Sequence, residues 1–173
     1  LAALILFTLG NSADSFFLLR LSKAGVEDHW VAVLWAAHSA VKMASTGAGG
    51  VLYDRIGGRP LILGGWILYA VLYACFGFIE SPETLIALFL LYGVYFGLTE
   101  PAERAWTSVL VPPTLRGTAY GYLSGAVGFA VLPANLLFGF LWEKFGAPVA
   151  FLTGAGFALA ASILLWFVRE HHA

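Results

Sequence analysis

The chain has 173 residues, 60% apolar, 16% aromatic and only 11% charged, with a mean hydropathy of +0.85. Ordinary soluble domains are about a quarter charged, so there is too little polar side chain to cover a water-facing globule, which excludes a soluble enzyme or a disordered segment. A net charge of -1 offers no footprint for a phosphate backbone and excludes nucleic acid as a partner, and one cysteine, Cys75, excludes a disulfide scaffold. What remains is an all-α integral membrane protein.

A spanning helix needs about 20 mostly apolar residues, because the hydrocarbon layer is ~30 Å thick and each residue rises ~1.5 Å. Six segments are expected in chain order: 1–21, 30–52, 61–79, 85–106, 117–142 and 149–168. The first carries Asn11, Asp14 and Arg20; the second carries His38 and Lys42. The fourth reaches spanning length only by running on past Glu100, Glu103 and Arg104. Continuous apolar runs without strict alternation argue for helices over barrel strands. Turn residues separate the spans at Gly57-Gly58-Arg59-Pro60, Ser81-Pro82, Pro112-Pro113 and Gly146-Ala147-Pro148. Short connections make this a single six-helix domain, residues 1–173. Leu1 opens inside a hydrophobic run, so the chain reads as a piece of something longer or one with a trimmed start.

Basic residues in short loops set orientation. With the 53–60 turn placed in the cytoplasm, that side carries Arg55, Arg59, Arg104, Arg116 and Arg169, against Arg20, Lys23 and Lys144 opposite. Both ends are then cytoplasmic, in the cell's inner membrane. Within lipid, helices associate by close backbone approach rather than by hydrophobic burial. Rows of small residues suit such seams: Ala36, Ala40, Ala44 and Ala48; Gly93 and Gly97; Gly117, Gly121 and Gly125; and Ala150, Gly154, Ala158 and Ser162. Pro133 is expected to bend the fifth span.

Polar residues inside the membrane are costly and mark a path or a pair. A continuous first helix would place Asn11, Asp14 and Ser15 on one face, and His38 and Lys42 share a face of the second. An Asp14–Lys42 ion pair is within reach. It reads either as the wall of a polar cavity, with Asp14 or His38 taking up a proton, or as a static pair that fixes helix register. His38 alone suits hydrogen-bonded packing. Asn135, near Pro133, either lines the same cavity or bonds the carbonyl freed by the proline.

The turn Gly50-Val51-Leu52-Tyr53-Asp54-Arg55-Ile56-Gly57-Gly58-Arg59 carries the strongest pattern. Gly50 would allow close helix approach and Gly57-Gly58 a tight reversal. Asp54 would sit at the cytoplasmic rim, facing either the helix start near Gly117 or Arg104. With Arg59, Glu100 and Arg104 it would form a charge cluster holding that side shut. On composition alone the turn reads better as a solvated connecting loop with positive-inside charges.

This decapeptide resembles the signature loop of the major facilitator superfamily, Gly-x-x-x-Asp-Arg-x-Gly-Arg-Arg, through Gly50, Asp54, Arg55, Gly57 and Arg59. Gly58 departs where the family usually has a basic residue. The stretches 8–16, 98–105 and 116–121 are similar to the C-terminal half of bacterial members. The resemblance implies a half-bundle of two inverted three-helix repeats, joined to a missing N-terminal half in a twelve-helix transporter. It implies a secondary carrier of a small molecule that works by alternating access, with proton coupling resting on Asp14 or His38. The first and fourth helices of each half are prominent in the family's cavity, which points to Asn11 and Asp14, and to Tyr92 and Tyr95. Glu100 and Arg104 belong with the cytoplasmic gate.

Two other classes compete. A non-transporting scaffold or receptor half would use the same charges only structurally. An intramembrane serine protease would need Ser124, within Leu123-Ser124-Gly125, to meet a histidine such as His38. No nucleotide-binding motif and no metal-ligand spacing occurs, so neither a cofactor nor a metal is expected.

Overall fold

The computed structural model describes residues 1–167; Val168, Arg169 and the two terminal histidines lie outside the described residues. The described chain forms seven α-helices: α1 (Ala2–Gly10), α2 (Ser15–Lys23), α3 (Asp28–Ile56), α4 (Gly58–Phe78), α5 (Pro82–Val109), α6 (Arg116–Phe145) and α7 (Ala147–Phe167). A single 3-10 turn, Pro113–Leu115, leads into α6.

Local chemistry sets the ends. Gly57 and Gly146 close α3 and α6 with φ of +83° and +87°, a conformation that glycine adopts without a Cβ clash. Ser81 caps α5 by accepting from Thr84 N–H at 3.3 Å, with Pro82 as the first helical residue. This cap starts the fourth span at Pro82, three residues before the sequence expectation, and the helix runs on to Val109.

Five segments are long and apolar enough to cross a membrane: 2–23, 58–78, 82–109, 113–145 and 147–167. The six-span expectation therefore meets five by this measure. The exception is α3, whose 29 residues extend about 44 Å but whose His38, Lys42 and many small residues lower its hydropathy. The first span is also not continuous. It breaks between Gly10 and Ser15, so Asn11, Asp14 and Ser15 do not share a helical face.

The main packing partners are α3 with α5, α4 with α5 and α7, α7 with α1 and α6, and α1 with α6. Exchanging the first three spans for the last three maps all of these pairings except α6 with α7 onto one another, close to what a duplicated three-helix unit would give. The centre is aromatic: Tyr69, Tyr73, Phe76, Phe89, Tyr92 and Phe151 are fully buried, and Phe7 stacks on Trp66 at 4.6 Å.

Only two of the four small-residue rows form seams inside the chain. On α5, Gly97 packs on Ser45 and on the Lys42 carbonyl, and a Cβ at Gly93 would lie 3.0 Å from the His38 carbonyl. On α7, a Cβ at Gly154 would lie 2.7 Å from the Gly10 carbonyl. By contrast, Ala36, Ala40, Ala44 and Ala48 are all exposed on α3. Gly117, Gly121 and Gly125 on α6 have nothing within 4 Å of where a Cβ would stand. The glycine of α3 that meets α5 is Gly49, where a Cβ would lie 2.6 Å from the Gly97 carbonyl; Gly50, expected to allow close helix approach, faces open space. The reason is angular, since neighbouring residues point about 100° apart around a helix.

Replacing Gly97 by alanine is expected to destabilise the bundle by about 1–3 kcal/mol through overpacking. Gly156→Ala, at an exposed glycine with free space around it, should change stability by no more than about 0.5 kcal/mol. Reversible unfolding of both variants in detergent checks the contrast.

Candidate functional site

The break in the first span organises the polar centre. Four residues, Asn11 to Asp14, leave the helical path, and their backbone groups need partners because the bilayer core offers no water. Ala13 N–H donates to Asn135 Oδ1 at 2.6 Å. The Gly10 carbonyl accepts from Tyr69 OH at 2.9 Å. Ser12 Oγ and Tyr73 OH share a hydrogen bond of 2.9 Å. Asn135 also donates through Nδ2 to the Val131 carbonyl at 3.0 Å. It therefore bonds neither the Phe129 carbonyl that Pro133 leaves without its donor nor the cavity wall; it pins α6 to the break.

Asp14 stands at the N-terminus of α2, where the helix dipole favours a negative charge. Its Oδ1 accepts from Tyr92 OH at 3.1 Å, and Asn11 Oδ1 lies 3.4 Å from Tyr69 OH and 3.5 Å from Tyr92 OH. Tyr92 is fully buried and Tyr95 nearly so, with their rings stacked at 5.5 Å. Tyr92 thus holds Asp14 from within the aromatic core, and Tyr95 forms part of a cavity wall.

The expected Asp14–Lys42 ion pair does not form. Lys42 Nζ instead meets Glu100 Oε2 at 3.0 Å, and Glu100 Oε1 meets Arg104 at 3.3 Å. Lys42 also lies 4.1 Å from the centre of the Phe96 ring. The glycine seam of α5 causes this exchange: it draws the Lys42 backbone onto Gly97, less than one turn before Glu100. His38 is buried, its Nδ1 2.9 Å from the Phe89 carbonyl and its ring stacked on Phe89 at 4.6 Å. Ser124 lies exposed on α6 and has no hydrogen bond to His38, so no Ser/His dyad is assembled among the described residues.

The decapeptide turn does not join the Glu100 cluster. Asp54 and Arg55 are exposed and enter no ion pair among the described residues. Asp54 finds neither Arg104, which is held by Glu100, nor a contact at Gly117. Arg59 reaches the far end of α7, donating to the Trp166 carbonyl with its guanidinium 5.8 Å from the Trp166 ring. Arg169, counted among the cytoplasmic charges, falls outside the described residues. At Gly58 a Cβ would lie 2.8 Å from the Tyr53 ring and 2.9 Å from Trp106 Cβ. No side chain fits there, which accounts for the departure from a basic residue.

A cavity of about 250 Å³ opens between α1, α5 and α6, lined by Thr8, Asn11, Tyr95, Glu100, Glu103 and Tyr120 among others. Sequence reasoning missed Ser12, Tyr69 and Tyr73 as supports of the break, and Glu103 as a cavity residue. The polar run 11–15 inside an apolar segment was the available signal for the first three.

The profile of the Major Facilitator Superfamily matches residues 1–173. The chain belongs to this superfamily. It is 31% identical over 169 residues to an uncharacterized MFS-type transporter of Methanocaldococcus jannaschii, covering 94% of this chain and 42% of that protein. It is 29% identical to the multidrug resistance protein MdtG of Dickeya zeae, covering 90% and 39% of the two chains. It is 27% identical to a cis,cis-muconate transport protein of Acinetobacter baylyi, covering 70% and 30%. The chain thus spans about two fifths of the length of the first two relatives. No solved structure matches it significantly. Family and apolar helices together make this a multi-pass membrane segment of a transporter family.

Asn135→Leu should cost about 1–3 kcal/mol by stranding the Ala13 N–H, whereas Asn135→Asp, which keeps the acceptor, should recover part of that. Thermal melting in detergent separates the two variants.

Proposed function

We propose that this chain is the C-terminal six-helix half of a twelve-helix secondary transporter, with α3 as its second span despite its lower hydropathy. The half carries a small organic molecule by alternating access in exchange for protons, and the multidrug resistance relatives favour efflux. The observation that carries this reading is the interrupted first span, where Asp14 and Asn11 sit at a break held by three buried tyrosines. Helix breaks at membrane depth occur where backbone is buried in protein or lines a cavity, and in transporters they mark binding sites. An ionisable group there is costly unless it does work. Asp14 takes the coupling proton, Tyr92 orients its carboxyl, and Asn11 and Tyr95 face the substrate. His38 and Asn135 position the elements around that path.

Lys42, Glu100 and Arg104 form the cytoplasmic gate in this reading. Of the Gly50-to-Arg59 turn, Arg59 braces α4 against the end of α7, Gly57 closes α3, and the exposed Asp54 and Arg55 are left for gate contacts with the N-terminal half. The exchange pattern of helix pairings supports two three-helix repeats. The exposed small-residue rows of α3 and α6 support a missing N-terminal half packed against them, with both ends of this segment cytoplasmic in the inner membrane.

In inside-out vesicles carrying the full-length transporter, Asp14→Asn should reduce pH-gradient-driven transport to background while the protein still inserts. Unchanged transport would remove Asp14 from the coupling. Cysteines at Ala44 and Gly121 should cross-link to the N-terminal half, whereas a cysteine at the exposed Gly156 should not. Cross-linking of none, or of all three equally, would argue against a paired half.

A further inference from the structure

Glu103 lies on α5, three residues after Glu100, yet shares none of its ion pairs. Its Oε1 accepts from Trp66 Nε1–H at 3.0 Å, and its carboxylate enters no ion pair among the described residues. It borders two cavities, the 250 Å³ space toward α6 and a second of about 80 Å³ toward α4 and α7. Apolar Leu4, Phe7 and Leu123 complete the walls around it.

The cationic side chains around it are otherwise engaged, and Tyr95 of α5 lines the larger cavity beside it. On α5 itself, Arg104 meets Glu100; from α3, Lys42 meets the other oxygen of Glu100. From α6, Tyr120 OH donates to the Arg104 carbonyl, and Arg116 donates to the Ser108 carbonyl. From α1 the cavity receives only Thr8 and Asn11 as polar groups, and from α4 only Trp66. An ionised carboxylate within the span, held by one neutral donor, is costly to keep charged. A proton is the smallest ligand that removes the charge, and the larger cavity gives it a route.

We propose that Glu103 is a second proton-binding carboxyl of the carrier, separate from Asp14 and reached through the cavity between α1, α5 and α6. The proposal rests on the reading of the chain as half of a proton-coupled transporter. Its consequence is a charge switch. Lys42, Glu100 and Arg104 together carry one surplus positive charge, which ionised Glu103 balances. Protonated Glu103 leaves that charge unopposed at the cavity wall, so proton uptake there switches what a substrate meets from net neutral to net positive.

Infrared difference spectra of the purified full-length transporter, recorded between acid and alkaline pH, read protonated carboxyls directly through their C=O stretch and need no substrate. One titrating band is expected to vanish in Glu103→Gln and to persist in Asp14→Asn. In Trp66→Phe, which removes the donor that favours the ionised form, the band's midpoint should move up by about 1–2 pH units. An unchanged spectrum in Glu103→Gln, or an unmoved midpoint in Trp66→Phe, would overturn the proposal. Should Asp14→Asn transport normally while the Glu103 band still titrates, the role given to Asp14 fails and this one stands.

Discussion

Backbone amides and carbonyls buried at membrane depth cannot turn to water, and the four-residue break in the first span exposes this constraint more sharply than any other feature. A continuous helix would have satisfied its own groups. The chain instead spends the side chains of Asn135, Tyr69 and Tyr73 on the break, drawing α4 and α6 onto the first span. Those residues fix where Asn11 and Asp14 stand, and the aromatic centre of the bundle grows around the tyrosines that do the fixing. Gly10 belongs to the same arrangement: it lets α7 approach the start of the break, where any side chain would strike Gly154 and Phe157.

Close helix approach then distributes the charges. The seam formed by Gly49, Gly93 and Gly97 pulls α3 against α5, and Lys42 finds Glu100 because of that contact rather than through any local preference. Asp14 is left to a neutral donor, Tyr92, and Glu103 to another, Trp66. The chain thus separates a paired, partly exposed ionic triad from two carboxylates held only by hydrogen bonds. Exposed ion pairs add little to stability, so the triad suits contacts that break and reform. Neither carboxylate is tied to a cation, which is what the proposed proton exchange requires of them.

The apolar runs of 58–78, 113–145 and 147–167 had to become helices long enough to cross a bilayer, and Gly57 and Gly146 had to end the helices before them; composition and turn chemistry suffice for that. The pattern Gly50 to Arg59 was enough to suggest the superfamily. The glycines of α5 and the small residues of α7 were legible as seams because their partners lie inside this chain. The equally regular rows on α3 and α6 gave the same signal, but periodicity identifies a face and not the neighbour that covers it. Tertiary structure alone decided that Lys42 pairs with Glu100, that Asn135 reaches across to Ala13, that Arg59 ends at Trp166 and that the first span breaks. The three contacts join groups far apart along the chain, the break is held by side chains from distant helices, and helix packing decides which partners meet.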